Sequence, residues 1–168
     1  NNDTIARFIG TTSEPYDFSG LEYLPEDWLG DSDADELFDI YEKVIDTDPF
    51  NPDTDSDELP DGYEVLALAT DPLEVDTDLN GIWDKDEDFD SDNLNNLGEY
   101  QNGTEPFIPD TDEDGLLDGD EVHIYGTNPM KPDTDDDGLF DGEEGYNGTI
   151  YEKYGIYFNP LIPDTDNN

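Results

Sequence analysis

The chain has 168 residues, 49 of them acidic and only five basic, for a formal net charge of −44, and 32% of it is hydrophobic. A bare polypeptide of this kind does not bury enough apolar surface to offset its own repulsion and chain entropy, so it is either a disordered acidic tail or is completed by a bound counter-charge. Arg7, Lys43, Lys85, Lys131 and Lys153 form no basic stripe, which excludes nucleic acid as a partner, and no apolar run is long enough for direct membrane insertion.

Residues 1–30 come first and carry no repeat. They hold Ile5, Phe8, Ile9, Tyr16, Phe18, Leu21, Tyr23, Leu24, Trp28 and Leu29, and read as an apolar N-terminal arm, extended or strand-like. Without an initiator Met or a signal-like segment, the chain reads as a mature product or an excised fragment.

From residue 31 a twelve-residue pattern takes over and recurs six times through residue 144. The copies are DSDADELFDIYE (31–42), DTDSDELPDGYE (53–64), DTDLNGIWDKDE (76–87), DFDSDNLNNLGE (88–99), DTDEDGLLDGDE (110–121) and DTDDDGLFDGEE (133–144). Their starts are separated by 22, 23, 12, 22 and 23 residues, so copies three apart are offset by 57 and a three-loop unit is duplicated. Such self-similarity points to an array in which each unit contacts its neighbours.

Each copy repeats one set of oxygen donors. Position 1 is Asp31, Asp53, Asp76, Asp88, Asp110 and Asp133; position 3 is Asp33, Asp55, Asp78, Asp90, Asp112 and Asp135. Position 5 is Asp35, Asp57, Asn80, Asp92, Asp114 and Asp137; position 9 is Asp39, Asp61, Asp84, Asn96, Asp118 and Asp141. Position 12 is always glutamate, as Glu42, Glu64, Glu87, Glu99, Glu121 and Glu144. Alternate acids on a tightly turned segment converge on one point. A hard cation that takes six to eight oxygens finds there three side chains, the carbonyl of position 7, position 9 directly or through water, and a bidentate glutamate. The position-7 carbonyls belong to Leu37, Leu59, Ile82, Leu94, Leu116 and Leu139. Flexible, carboxylate-rich loops favour calcium over magnesium. Softer metals would ask for His or Cys; there is no cysteine, and the one histidine, His123, reads as a half-exposed side chain. Twenty-eight of the 49 carboxylates are assigned this way. A solvated acidic tail would not hold that register.

Position 6 is expected to need φ > 0. Gly81, Gly115 and Gly138 meet this freely and Asn93 tolerates it, whereas Glu36 and Glu58 cost about 1–2 kcal/mol there. Loops 1 and 2 are therefore expected to be weaker or differently shaped. The longer-spaced loops are preceded by TDPFNP, TDPLEV, GTEPFIP and GTNPMKP, which read as turns. Each loop leaves through a short acidic segment with room for one or two helical turns.

Residues 145–168 form an aromatic C-terminal extension that ends in a partial seventh loop, with Asp164, Asp166 and Asn168 at positions 1, 3 and 5. Asn2, Asn102 and Asn147 stand in N-x-Thr sequons and are candidates for covalent glycans.

The DxDxDGLxDxxE form with intervening GTxPxxPDTD turns resembles thrombospondin type 3 repeats, in particular their prokaryotic extracellular relatives. EF-hands and dockerins place the apolar residue one position later and frame the loop with long helices. The resemblance covers residues 31–144 and the stub at Asp164. It implies a mostly irregular, calcium-stapled array of tandem loops with short helical turns and little sheet. The chain departs from it in lacking the disulfides common in animal members and in carrying Glu at position 6 of two loops.

No nucleophile or acid–base constellation stands out, so no enzyme is expected. The sequence reads as an extracellular or cell-surface calcium-binding structural protein. One reading makes it a homo-oligomer, a head-to-tail subunit of a filament or layer; the alternative is a calcium-stiffened spacer of a larger adhesin or surface-anchored protein. A dockerin-like module is a third reading, disfavoured by position 7 and by six loops instead of two.

Overall fold

The computed structural model describes residues 30–144 and 158–163. The N-terminal arm, most of the aromatic extension, Asn2, Asn147 and the stub residues Asp164, Asp166 and Asn168 lie outside the described residues.

Among the described residues there are six short helical segments and no strand. They are α1 (Asp39–Ile45), α2 (Asp61–Tyr63, running into a π turn, Glu64–Leu68), a 3₁₀ turn (Asp84–Asp86), α3 (Asn96–Asn102), α4 (Asp118–Asp120, running into a π turn, Glu121–Tyr125) and a second 3₁₀ turn (Asp141–Glu143). Every one begins at loop position 9. Its backbone N–H donates to the carbonyl just before the loop, Gly30, Pro52, Val75, Glu87, Pro109 or Pro132, at 2.7–3.0 Å. Each loop is thus a closed ring of backbone, and position 12 lies on the helical turn that leaves it.

The helices stop early because the chain turns left-handed. Asp46, Ala69, Gly103 and Gly126 have φ of 62–77°, and their N–H groups return to the carbonyls of Glu42, Glu64, Glu99 and Glu121. That is a C-terminal cap, and it leaves the closing glutamate at the centre of a one- or two-turn helix.

Apolar burial is slight. Leu37, Leu59, Leu68 and Leu94 are the buried hydrophobic side chains, against fourteen buried carboxylates. Three of the four are position-7 or helix residues wedged under their own loops. The units are joined by ring contact: Tyr63 of α2 meets Tyr100 of α3 at 5.0 Å between centroids. The turns read from TDP, GTEP and GTNP are present, each closing with a backbone bond of 2.8–3.0 Å, as from Asn51 to Asp48 and Lys131 to Asn128. Residues 159–163 make the same turn, Ile162 N–H donating to the Asn159 carbonyl at 3.0 Å.

Candidate metal centre

Inside each loop the backbone is shaped by its own acids. Position 6 donates its N–H to the position-1 carboxylate at 2.8–3.2 Å in all six copies. Position 7 donates to the side chain of position 5 at 2.7–2.9 Å. These bonds curl the segment so that positions 1, 3 and 5 face inward. Position 6 is left-handed throughout, as expected, and Glu36 (φ 82°) and Glu58 (φ 86°) adopt it like the glycines. Loops 1 and 2 keep every hydrogen bond of the others, so they are not differently shaped. Position 4 is also left-handed in all six loops, although it is never glycine: Ala34, Ser56, Leu79, Ser91, Glu113 and Asp136 have φ of 59–68°.

Carboxylate oxygens gather within 4.8 Å in two arrangements. One is the triad of positions 1, 3 and 5, as in Asp31/Asp33/Asp35, Asp53/Asp55/Asp57 and Asp88/Asp90/Asp92. The other spans two loops. Asp35 and Glu42 of loop 1 meet Asp61 of loop 2, and Asp92 and Glu99 of loop 4 meet Asp118 of loop 5, all six side chains buried. Spacing alone assigns position 9 to its own loop; in these pairs it faces the loop before.

Position 9 also braces its own loop. Asp61 accepts from Thr54 N–H at 2.7 Å and from its hydroxyl at 2.6 Å. Asp118 does the same with Thr111, Asp84 with Thr77 and Asp39 with Ser32. The DTD of these loops is therefore a position-2 hydroxyl matched to a position-9 acid. Loop 4 confirms the pairing by its exception. Phe89 stands at position 2, and position 9 is Asn96, whose amide donates instead to the Asp84 carbonyl of loop 3 at 2.7 Å.

The threonines of the intervening turns are a second set that spacing did not assign. Thr70 and Thr127 donate to Glu64 and Glu121 at 3.2 and 3.0 Å, and Thr104 donates to Glu99. Each fixes one oxygen of a closing glutamate, leaving Glu64 Oε2, Glu99 Oε1 and Glu121 Oε2 buried without a hydrogen-bond partner. Asp33 Oδ1 and Oδ2 and Glu42 Oε1 and Oε2 have none either.

Successive loops dock through position 10. Gly62 N–H donates to Asp35 Oδ2 at 3.1 Å, Gly119 to Asp92 at 2.7 Å and Gly142 to Asp114 at 3.1 Å. At loop 3 the residue is Lys85. Its backbone bonds Asp57, and its Nζ lies 2.5 Å from Glu58 Oε1, which gives that strained glutamate a partner.

Buried acids without a cation hold their protons. Burial is the largest cause in each case and neighbouring carboxylates add to it, raising Glu64 to about 9, Glu42 and Glu121 to about 8, and Glu99 to about 7. Asp55, Asp90 and Asp112 rise to about 6. A raised carboxylate stabilises the fold below its ordinary pKa, and that contribution is lost as pH climbs through the raised value. The ion-free chain is therefore expected to gain helical circular dichroism as pH falls from about 9 to 5, while a saturating cation reverses the trend because it needs the acids ionised. A flat ion-free profile would count against the packing described here.

Loop 3 stands apart. Asn80 at position 5 donates to Glu87 Oε1 at 2.7 Å, so the amide occupies the closing glutamate. Asp78, Asn80 and Ile82 are all exposed, because no following loop docks on them. Loop 3, ahead of the strained loops 1 and 2, is expected to lose its ion first in a chelator titration followed by position-6 amide resonances. The Gly81 amide would report it. Asn80→Asp is expected to delay that loss, and unchanged order in the variant would refute the assignment.

His123 is exposed and has no part in these clusters. Among the described residues no helix is long and apolar enough to cross a membrane. The family model of the bacterial TSP3 repeat matches residues 110–132, the loop 5 segment and the turn after it. No curated protein and no solved structure matches.

Proposed function

We propose that this thrombospondin type 3-like repeat protein is an extracellular structural protein that folds around calcium. The observation that carries the reading is the set of buried carboxylate oxygens with no hydrogen-bond partner at the centres of the loops, Asp33 and Glu42 foremost. Burying an ionised carboxylate without a partner is prohibitively costly, and a hard divalent cation held by oxygen donors removes that cost. The all-oxygen, carboxylate-rich donor set suits calcium. Sites of the affinity common in extracellular modules, about 10⁻⁴–10⁻³ M, fill at millimolar external calcium, which supports a position at the cell surface or beyond it.

Its role there is a self-associating subunit of a surface filament or layer, one copy's apolar arm reaching the next in a heterologous contact that does not close. The second reading, a calcium-stiffened spacer within a larger surface protein, is favoured by the turn at residues 159–163. That turn reproduces the one that leads into the earlier loops, so the array pattern continues past loop 6. Asn102 is exposed at the end of α3, where a glycan fits. Calorimetric titration with calcium and magnesium tests the ion: binding of several calcium ions with coupled folding supports the reading, and tighter magnesium binding defeats it. Electron microscopy with and without chelator then separates the roles, since calcium-dependent polymers support the subunit and a monomeric rod at high concentration supports the spacer.

A further inference from the structure

The 57-residue duplication allows each surface residue of the first unit to be compared with its counterpart in the second. Phe107, on the turn after loop 4, stacks on Phe89 at 5.2 Å between centroids and 11° between planes. Its counterpart Phe50 has Ser32 where Phe89 stands, and is 78% exposed. Two more positions change in the same direction. Asn95 and Gln101 of the second unit are replaced by Phe38 and Val44, and both are exposed. The first unit thus bears three exposed apolar side chains on one loop, helix and turn, where the second unit is polar or has a stacked ring.

Exposed apolar side chains that gather at one point mark a surface built to be covered, and the second unit indicates what covers this one: an aromatic ring. The covering ring is available nearby. The Gly30 carbonyl is anchored by the Asp39 N–H at 2.8 Å, which fixes where the preceding segment leaves loop 1, next to Phe38. Trp28 lies two residues back from that point, within about 7 Å of chain, and Ser32 lies two residues forward. Arrays of repeats also need their terminal faces closed, and loop 1 has no earlier loop to dock against.

We propose that the segment ending at Gly30 folds back on loop 1 of its own chain, with Trp28 covering Phe50 as Phe89 covers Phe107. This makes the residues next to the array an N-terminal cap and leaves Ile5 to Leu24 free to reach a second copy. The inference stands apart from the identity of the ion and from the choice between filament and spacer.

Trp28 and Trp83 are the only tryptophans, so Trp83→Phe in the full chain leaves Trp28 as the sole reporter. With saturating calcium, its emission is expected to be blue-shifted and shielded from acrylamide relative to the same chain in chelator. Adding Phe50→Ala is expected to move the emission maximum and the quenching constant toward those of free tryptophan, whereas Phe107→Ala leaves both unchanged. Phe50 is exposed, so far-ultraviolet circular dichroism should stay constant and separate this effect from unfolding. A Trp28 as exposed as free tryptophan in calcium, or one indifferent to Phe50→Ala, overturns the proposal. So does shielding that develops only as protein concentration rises, which would assign the ring to a second copy.

Discussion

Chelation of calcium is expected to abolish the fold of the repeat array as a whole, with loss of helical circular dichroism and a large increase in hydrodynamic radius. The chain has little else to hold it. Four apolar side chains are buried among the described residues, far too few to offset the ordering of more than a hundred residues at about 1–2 kcal/mol each. Fourteen buried carboxylates oppose folding until a cation neutralises them. At ten times its dissociation constant each ion adds about 1.4 kcal/mol through linkage, so six independent sites reach about 8 kcal/mol, a whole domain's ordinary stability. Because each inter-loop cluster draws on two loops, the loss should be cooperative within a three-loop unit. Small-angle scattering and circular dichroism on one sample check this. A chain that stays compact and helical in excess chelator at neutral pH would show that the buried acids are balanced by something other than a cation.

Much of this architecture was legible in the sequence because the loop is a local object. The acids at positions 1, 3, 5 and 12, the left-handed position 6 and the helical exit are all set by residues within twelve of each other, and a six-fold repeat exposes them. What was not legible lies between loops. The bonds from Gly62 to Asp35, Gly119 to Asp92 and Gly142 to Asp114 join residues 27 or 28 apart, a separation that no single copy displays. The signal was nonetheless present. DG at positions 9 and 10 occurs only in loops that dock on an earlier neighbour, while loops 1 and 4, which open the units, carry Ile40 and Leu97 there. The match between a hydroxyl at position 2 and an acid at position 9 was equally readable, and Phe89 with Asn96 was the pair that revealed it. The left-handed position 4 had no compositional signal, since six different local needs are met by Ala, Ser, Leu, Glu and Asp. There the ring closure imposed by the position-9 N–H overrides residue preference.

Gly62→Ala is expected to uncouple loop 1 from loop 2, with a loss of at least about 3 kcal/mol, the upper end of ordinary overpacking. A Cβ on Gly62 would lie 1.8 Å from the Asp35 carbonyl oxygen and 2.8 Å from its carbon. Both are backbone atoms of a closed ring, so neither can rotate aside as a side chain would. The only relief is separation of the two loops, which removes the Gly62 N–H from Asp35 Oδ2 and withdraws Asp61 from Asp35 and Glu42. Calcium bound with the help of that inter-loop cluster should weaken at least tenfold, which is about 1.4 kcal/mol, and the melting temperature in calcium should fall. Gly138→Ala is the matched control. It has φ of 101° but nothing within 4 Å of a Cβ, so it carries left-handed strain of about 1–2 kcal/mol and leaves docking intact. Calorimetric titration distinguishes the two: Gly62→Ala loses or weakens an ion at the loop 1–loop 2 junction, while Gly138→Ala keeps that ion and is only less stable. Lys85 shows that a side chain can stand at position 10 where the junction is built to admit it, so the test is specific to the backbone contact at residue 62. Equal calcium stoichiometry and affinity in Gly62→Ala and Gly138→Ala would mean that the loops bind their ions one by one, and that the array is a string of sites with no shared ligands.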